Sequence, residues 1–569
     1  EKSISTREGG TPFVFYEGPP SANGMPGIHH VISRTIKDIF PRYKTMKGFQ
    51  VRRKAGWDTH GLPVELQVEK KLGITKDDIG KTISIEDYNK ACRADVLKFK
   101  DKWDELTEKI GYWVDLDNPY ITYENKYIET LWFLLKKLYD KGYLYKGYTI
   151  QPYSPAAGTG LSSHELNQPG TYRDVKDTSC TALFKLTSPI KGFENETLHA
   201  LAWTTTPWTL PSNTALAIGK KIKYSIIETA NPYVSGAIKV ILGEPLISKY
   251  FTPEGENTDI NAYQVNDKIL PWRRVGSLTA ENLNGSTYEQ LLPYAQPIDG
   301  DAFRIIIGDF VTTEDGTGIV HIAPSFGADD QMAAKKNGIG SLTLVDERGI
   351  FTNQIQDDQF PLAGAYVKED YLNEAEKAEA LAVQQEMLKP IIPNLQKYLS
   401  ADELITLKLK LEGKAFKIEK YIHSYPHCWR TDKPILYYPL DSWFIKTTAV
   451  KDRLVELNKT INWKPKSTGE GRFGNWLENL QDWNLSRSRF WGTPLPIWRT
   501  EDGTEEICIG SIQELKDEVL KANKTLSLSQ EINDDTLDLH KPYVDKLTLV
   551  SPSGKSMKRE SDLIDVWFD

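Results

Sequence analysis

Apolar and polar positions alternate with different periods along the 569 residues, and the changes of period divide the chain. Phe13-Val-Phe-Tyr16 is an apolar, aromatic run that predicts a buried strand. A turn rich in Gly, Pro and Asn follows from Gly18 to Gly27. Ile32, Ile36 and Ile39/Phe40 then recur on one face of a helix. Residues 85–145 are helical in pattern, with Trp103, Trp113, Trp132 and Phe133 among the apolar positions. From about 180 to 400, short β-rich runs between Gly, Pro and Asn turns take over (Lys239-Val-Ile-Leu, Phe303-Arg-Ile-Ile-Ile, Gly318-Ile-Val-His-Ile). They predict a barrel inserted into an α/β domain. Residues 401–569 return to α/β and helical texture.

Composition narrows the class. Charged residues make up 26 % and hydrophobic ones 40 %, an ordinary globular balance. The formal net charge of −8 excludes a surface coated in positive charge, although a local basic stripe suffices for nucleic acid. The four cysteines (Cys92, Cys180, Cys428, Cys508) are too widely spaced for a disulfide framework, so a reducing, cytoplasmic setting is expected. No apolar run is long enough for a membrane span, and no signal-peptide pattern is present.

Candidate chemistry starts at the first turn. Strand, glycine turn and helix place backbone N–H groups and a helix N-terminus against phosphate. His29 and His30 fall where the helix begins, where an N–H donor would meet charge growing on a phosphate. The stretch matches neither the dinucleotide fingerprint nor the P-loop. A basic segment follows (Arg42, Lys44, Lys47, Arg52, Arg53, Lys54).

Gly18-Pro-Pro-Ser-Ala-Asn-Gly24 and Gly56-Trp-Asp-Thr-His-Gly-Leu-Pro-Val-Glu65 together resemble the class I aminoacyl-tRNA synthetases, most nearly their isoleucyl branch. The family's HIGH tetrapeptide aligns with Gly27-Ile28-His29-His30. Gly27 stands where the family has its first His, and His29 where it has Gly; His30 stays in register. The resemblance implies that Asn23, Gly24, Gly27 and His30 bind ATP, with His29 a substitute for the displaced imidazole. It implies that Asp58 holds the α-amino group, a natural carboxylate–ammonium pairing. Gly18, Pro19 and Pro20 would wall the amino-acid pocket. Near the C-terminal end, Asp565-Val-Trp-Phe-Asp569 resembles the DVWFD segment, whose Trp567 would pack on the isoleucine side chain. Arg487 and Arg489, in a stretch that resembles the return into the nucleotide fold, would meet phosphates or form a solvated turn.

Many relatives carry a C-x-x-C zinc pair in the connecting segment. Here Ser154 and Ala157 replace it. In the partner stretch Cys428 remains, but Thr431 stands for the second thiolate. His427 and Cys428 leave two of four ligands missing, so zinc is not expected.

Two motifs inside the β-rich block, Trp203-Thr-Thr-Thr-Pro-Trp-Thr209 and Gly316-Thr-Gly-Ile-Val-His321 through Asp330, resemble the editing site of isoleucyl, valyl and leucyl enzymes. By resemblance, Asp330 grips the ammonium of a misattached amino acid. Thr204, Thr205, Thr206 and Thr209 line the pocket, and His321 holds the terminal ribose or limits pocket size. No serine–histidine–acid triad is present, so hydrolysis would rest on positioning a water.

The expected organisation is a Rossmann-like catalytic domain with its connecting segment over 1–180, an inserted β-barrel editing domain over 181–400, and a return over 401–569. Gly554-Lys-Ser-Met-Lys-Arg559 looks like a scrambled KMSKS but precedes DVWFD, so it is rejected as that motif. The catalytic domain is expected to be truncated before KMSKS. The resemblance implies ATP with Mg²⁺, isoleucine and tRNA(Ile) as reactants, editing of Val-tRNA(Ile), and a monomer. The alternatives are a valyl enzyme, a piece active only as an editing hydrolase, and a binding module without turnover.

Overall fold

The computed structural model describes residues 2–265 and 267–569. The chain forms two units, Glu1–Gly147 with Asp441–Asp569, and Tyr148–Leu440.

In the first unit, the helix Ile28–Met46 starts at Gly27, whose extended backbone ends the preceding turn. A Cβ on Gly27 would come within 2.8 Å of the exposed His29 ring, which would have to swing away from its place beside His30. The helix is turned against its own hydrophobic pattern. Arg34, Asp38, Pro41 and Thr45 are its buried residues. Ile32, Ile36, Ile39 and Phe40 all lie more than half exposed. Residues 13–16 are not the predicted buried strand. Pro12 makes a single parallel bridge to Gln50, and Val14 and Tyr16 are 65 % and 88 % exposed. The run has strand-like composition, but beyond Gln50 it has no neighbouring strand among the described residues. β-propensity records fit to a half-buried neighbour and forms no ladder alone.

Lys54–Trp57 pairs in parallel with Asp115–Ile121. The helices Leu62–Leu72 and Ile85–Val96 bury Val64, Val68, Tyr88, Cys92 and Val96 around Trp491. Trp103 and Trp132 are core, as their helical spacing predicts, whereas Phe133 is 49 % exposed. Trp113 lies beneath the Arg42 and Arg53 guanidiniums. A four-stranded sheet runs Glu506–Cys508, Ile497–Thr500, Ser556–Arg559, Leu549–Val550. The helices Asn125–Asp140 and Ile512–Leu526 join its core through Ile128, Trp132, Leu515 and Val519. The scrambled KMSKS lookalike is an inner strand of this sheet. Its Met557 is buried, and Arg559 is buried against Asp545.

The second unit contains a six-stranded sheet in the order Trp272–Thr279, Lys223–Ala230, Ala237–Gly243, Leu198–Thr204, Tyr172–Lys185, Ala415–Pro426. Its pairs are antiparallel except Leu198–Thr204 with Ala237–Gly243. Successive side chains point to opposite faces. Ala182, Phe184, Ala200, Ile226 and Ile241 enter the large core on one side. Leu183, Leu201, Ile227, Val240 and Leu242 pack around Phe251 on the other. A three-stranded sheet, Arg304–Ile307, Ala215–Ile218, Ile319–Ile322, adds Leu216, Ile218, Ile305 and Ile319 to the large core. With both faces covered, the strands read as near-continuous apolar runs.

Candidate functional site

In the first unit, the loop from Glu17 to Met25 and the start of helix Ile28–Met46 border a cavity of about 470 Å³. Gly18, Pro19, Pro20, Asn23, Gly24 and His30 line it, together with Arg34, Lys37 and Trp103. The loop is pinned from outside. Trp103 Nε1 donates to the Gly24 carbonyl at 2.9 Å, Phe99 N–H donates to the Ala22 carbonyl at 3.0 Å, and Asn23 Nδ2 donates to Gln67 at 3.1 Å. His30 Nδ1 accepts the Gly27 N–H at 2.9 Å, so the neutral ring carries its proton on Nε2. Burial, then His29 and Arg34, hold the His30 pKa below the usual imidazole value. His29 is exposed, with its ring 3.8 Å from that of His30. Of the two imidazoles, His30 faces the cavity. Arg34 lies over Trp103 and donates to Thr107, and Lys37 pairs with Glu17 at 2.7 Å.

Asp58 does not line this cavity but is fastened to its wall: the Asp58 N–H donates to the Pro20 carbonyl at 3.1 Å. Burial, then the charge of Asp569, push its carboxyl up to about 6. The same loop reaches the distant C-terminal motifs. Trp491 Nε1 donates to the Thr59 carbonyl at 2.7 Å, and a Cβ on Gly61 would touch Val566 at 3.1 Å. Trp567 is 49 % exposed, with its N–H donating to Asp565.

Arg487 and Arg489 are neither solvated nor free for phosphate. Arg487 pairs with Asp565 at 2.7 Å. Arg489 pairs with Glu65 at 3.0 Å and with Glu69, all within the interior. Glu65 also accepts the N–H groups of Phe490 and Trp491. Partners more than 400 positions apart left no local signal in the sequence.

In the second unit, the threonine motif and His321 form one hydrogen-bonded chain. Thr206 N–H donates to Thr204 Oγ1 at 3.1 Å, and Thr209 Oγ1 donates to the Thr206 carbonyl at 2.8 Å. His321 Nε2 lies 3.0 Å from Thr209 Oγ1. Because the Thr209 proton is committed to Thr206, Nε2–H of His321 is the donor and Nδ1 keeps a lone pair. That Nδ1 is buried without a partner among the described residues. Burial alone pushes the His321 pKa down to about 4. Thr205 is half-buried outside this chain.

Asp330 sits in the first turn of the helix Ala328–Asn337 and accepts the Ala323 N–H at 2.8 Å, just past the strand that bears His321. Its carboxyl is pushed up to about 7, first by burial. A further acidic group went unread in the sequence. Asp402, buried, accepts the Trp208 N–H at 2.7 Å and thereby fixes the turn that holds Thr209.

Among the described residues, no group of three or more His, Cys, Asp or Glu is arranged to hold a metal. At the connecting segment the Cys428 turn is closed by backbone bonds, Cys428 N–H to the Lys433 carbonyl and Asp432 N–H to the Cys428 carbonyl.

The chain is a member of the class I tRNA synthetases (I, L, M and V), whose family model matches residues 1–569. Among curated relatives, the isoleucine–tRNA ligase of Cytophaga hutchinsonii is 63 % identical over 579 residues, covering 100 % of this chain and 50 % of the relative. That of Porphyromonas gingivalis is 58 % identical, over 100 % of this chain and 52 % of its own. That of Clostridium acetobutylicum is 44 % identical, over 100 % and 47 %. The chain spans about half the length of these relatives.

Proposed function

We propose that this chain supplies the amino-acid activation pocket and the editing pocket of an isoleucine–tRNA ligase. The observation that supports it most is the bond from Asp58 N–H to the Pro20 carbonyl. It ties an acidic group suited to an ammonium to the wall of a cavity suited to phosphate.

In this reading ATP enters the cavity of Gly18–Gly24 and His30. The isoleucine carboxylate attacks the α-phosphate in line, and pyrophosphate leaves; the ribose of tRNA(Ile) then attacks the adenylate. His30 presents Nε2–H to the phosphates as a neutral donor, fixed by its Nδ1 bond to Gly27. Arg34 and Lys37 add positive charge. Glu17, the one carboxylate among the cavity's lining residues, is engaged by Lys37 and Tyr112, so Mg²⁺ would arrive on the ATP phosphates.

A hydrophobic pocket gains only about 1–3 kcal/mol from the methylene that separates isoleucine from valine, a general figure for which isoleucyl enzymes are the familiar example. The second pocket answers that shortfall. Residues 181–400 are read as the inserted editing barrel. Asp330 takes the ammonium of valine, the threonines hold the ester and the attacking water, and the His321 Nδ1 lone pair accepts a ribose hydroxyl. Residues 1–180 and 401–569 are read as the two parts of the Rossmann-like catalytic domain. A cytoplasmic monomer fits this role; among the described residues, no helix is long and apolar enough to cross a membrane.

Calorimetry with a nonhydrolysable isoleucyl-adenylate analogue tests the first pocket, and Val-tRNA(Ile) hydrolysis tests the second. Tighter binding of the isoleucyl than the valyl analogue, with hydrolysis lost in Asp330→Ala, is expected. Tighter binding of the valyl analogue would favour a valyl enzyme. A second reading, an editing hydrolase alone, is favoured by the threonine–histidine chain lying wholly within one unit. Val-tRNA hydrolysis without adenylate-analogue binding would select it.

A further inference from the structure

A glutamine outside the first cavity decides which way two of the cavity's polar side chains face. Gln67 lies on the helix Leu62–Leu72, between the glycine turn and Asp95 of the helix Ile85–Val96. Its Nε2 donates to Asp95 Oδ2 at 2.9 Å and to the Asn23 carbonyl at 3.3 Å. Its Oε1 accepts from Asn23 Nδ2 at 3.1 Å. Asn23 Oδ1 in turn accepts the Ser21 hydroxyl at 3.0 Å. Asp95 is buried, and its other oxygen accepts from Lys71 Nζ at 2.9 Å.

The row Asp95–Gln67–Asn23–Ser21 has one direction. A carboxylate paired with a lysine only accepts, so the edge of the Gln67 amide that meets Asp95 is its NH2 group. The amide oxygen is then left for Asn23, which must present its own NH2 group there and turn its oxygen to Ser21. Ser21 spends its single proton on that oxygen, and both lone pairs of its Oγ remain. Among the described residues, none donates to them. Ser21 and Asn23 both border the cavity. A serine hydroxyl left to itself rotates to give or accept as a ligand requires. Here the row fixes Ser21 as an acceptor, and the second amide proton of Asn23 makes that residue a donor.

We propose that Gln67 is a positioning residue of the first pocket, holding the Ser21 hydroxyl as the acceptor for a hydrogen-bond donor of the substrate, the ammonium of the amino acid or a hydroxyl of the nucleotide ribose. This rests on the reading of the cavity as the activation pocket. Pro20, whose carbonyl accepts the Asp58 N–H, directly precedes Ser21, so the acceptor adjoins the wall read as holding the amino acid. His30, Arg34 and Lys37 bring donors to the same cavity, so anionic oxygens are served by them. A phosphate oxygen placed on Ser21 would meet lone pairs and be turned away, whereas an N–H or O–H donor is taken.

The test is calorimetry of the whole chain with a nonhydrolysable isoleucyl-adenylate analogue, run as a cycle of Ser21→Ala and Gln67→Met. Ser21→Ala should weaken binding about three- to tenfold, the worth of one neutral hydrogen bond. Gln67→Met keeps the length of the side chain and removes the row, and should weaken binding by a similar factor. The double variant should bind about as Ser21→Ala does, because both changes act through one hydroxyl. Two factors that multiply would mean that Gln67 only braces the loop, and would overturn the proposal. Gln67→Glu together with Asp95→Asn exchanges donor and acceptor between those two residues but keeps an acceptor facing Asn23. It should restore most of the affinity lost in Gln67→Met. Two further ligands identify the donor. Ser21→Ala should lose its effect with the analogue lacking the α-amino group if the donor is the ammonium, and with the analogue lacking the ribose hydroxyls if it is the ribose. An effect that persists with both overturns the proposal. If wild type binds the adenylate analogue and neither single variant weakens it, the proposal falls alone. If wild type does not bind it, the reading of the cavity falls and takes the proposal with it.

Discussion

The Thr209 hydroxyl and His321 Nε2 lie 3.0 Å apart across 112 residues of sequence. Two motifs that are unconnected in the chain thus become one polar surface. Thr209→Val removes the acceptor and keeps the shape. It is expected to slow Val-tRNA(Ile) hydrolysis roughly tenfold, about the worth of one buried hydrogen bond. Binding of the isoleucyl-adenylate analogue should not change; an equal loss in both assays would mark a general folding defect.

His321 should stay neutral well below the usual imidazole range, because burial pushes its pKa down to about 4. Nitrogen shifts of labelled histidine at pH 5 should show a ring protonated on Nε2 only. A doubly protonated ring at that pH would contradict the burial and the Thr209 bond alike.

Asp330 shifts in the opposite direction. Its carboxyl rises from the ordinary 3.8 to about 7 on folding. Between those values the folded chain binds more protons than the unfolded one, so this group's contribution to stability is full below pH 4 and declines as pH rises towards 7. Asp330→Asn keeps an acceptor for the Ala323 N–H and removes the penalty. Urea titrations should show the variant about 4 kcal/mol more stable than wild type at pH 8 and close to it at pH 4. A gain independent of pH would refute the assignment.

Arg489 neutralises Glu65 and Glu69 in the interior. Arg489→Met leaves two carboxylates buried without their cation and should cost about 3–5 kcal/mol in chemical denaturation. If Arg489 instead served phosphate from a solvated turn, the cost would be near zero.

Ile36 carries the opposite prediction. It is 56 % exposed, so Ile36→Glu should alter the stability of this chain by less than about 0.5 kcal/mol. A loss like that of a core isoleucine would mean that the stripe is covered in solution.

Much of the fold was legible because local pattern and local structure agreed. The helix after Gly27, the helices Ile85–Val96, Lys100–Lys109 and Asn125–Asp140 and the strands at 237–243, 304–307 and 319–322 follow from period and turn chemistry, whereas the strand Asp115–Ile121 interrupts the stretch 85–145 that reads as helical throughout. The candidate site was legible where its residues lie within one short motif, as for Gly18 to Gly24 beside His30, or Thr204 to Thr209. The pairs Arg489–Glu65, Trp208–Asp402 and Asn23–Gln67 were not legible. Each joins residues whose local spacing says only helix, turn or loop.

By itself the sequence determined which chemical groups the chain could offer: the glycine turn, the two imidazoles, the threonine run, the acids and their membership of one family's motifs. It fixed these because residue type and short spacing set backbone preference and donor chemistry directly. Tertiary structure alone decided which groups ended up charged, paired or buried. It turned the isoleucine stripe of 28–46 outwards, set Arg489 inside, and brought Gln67 against Asn23. Those outcomes depend on what covers each side chain, and burial is decided by residues hundreds of positions away.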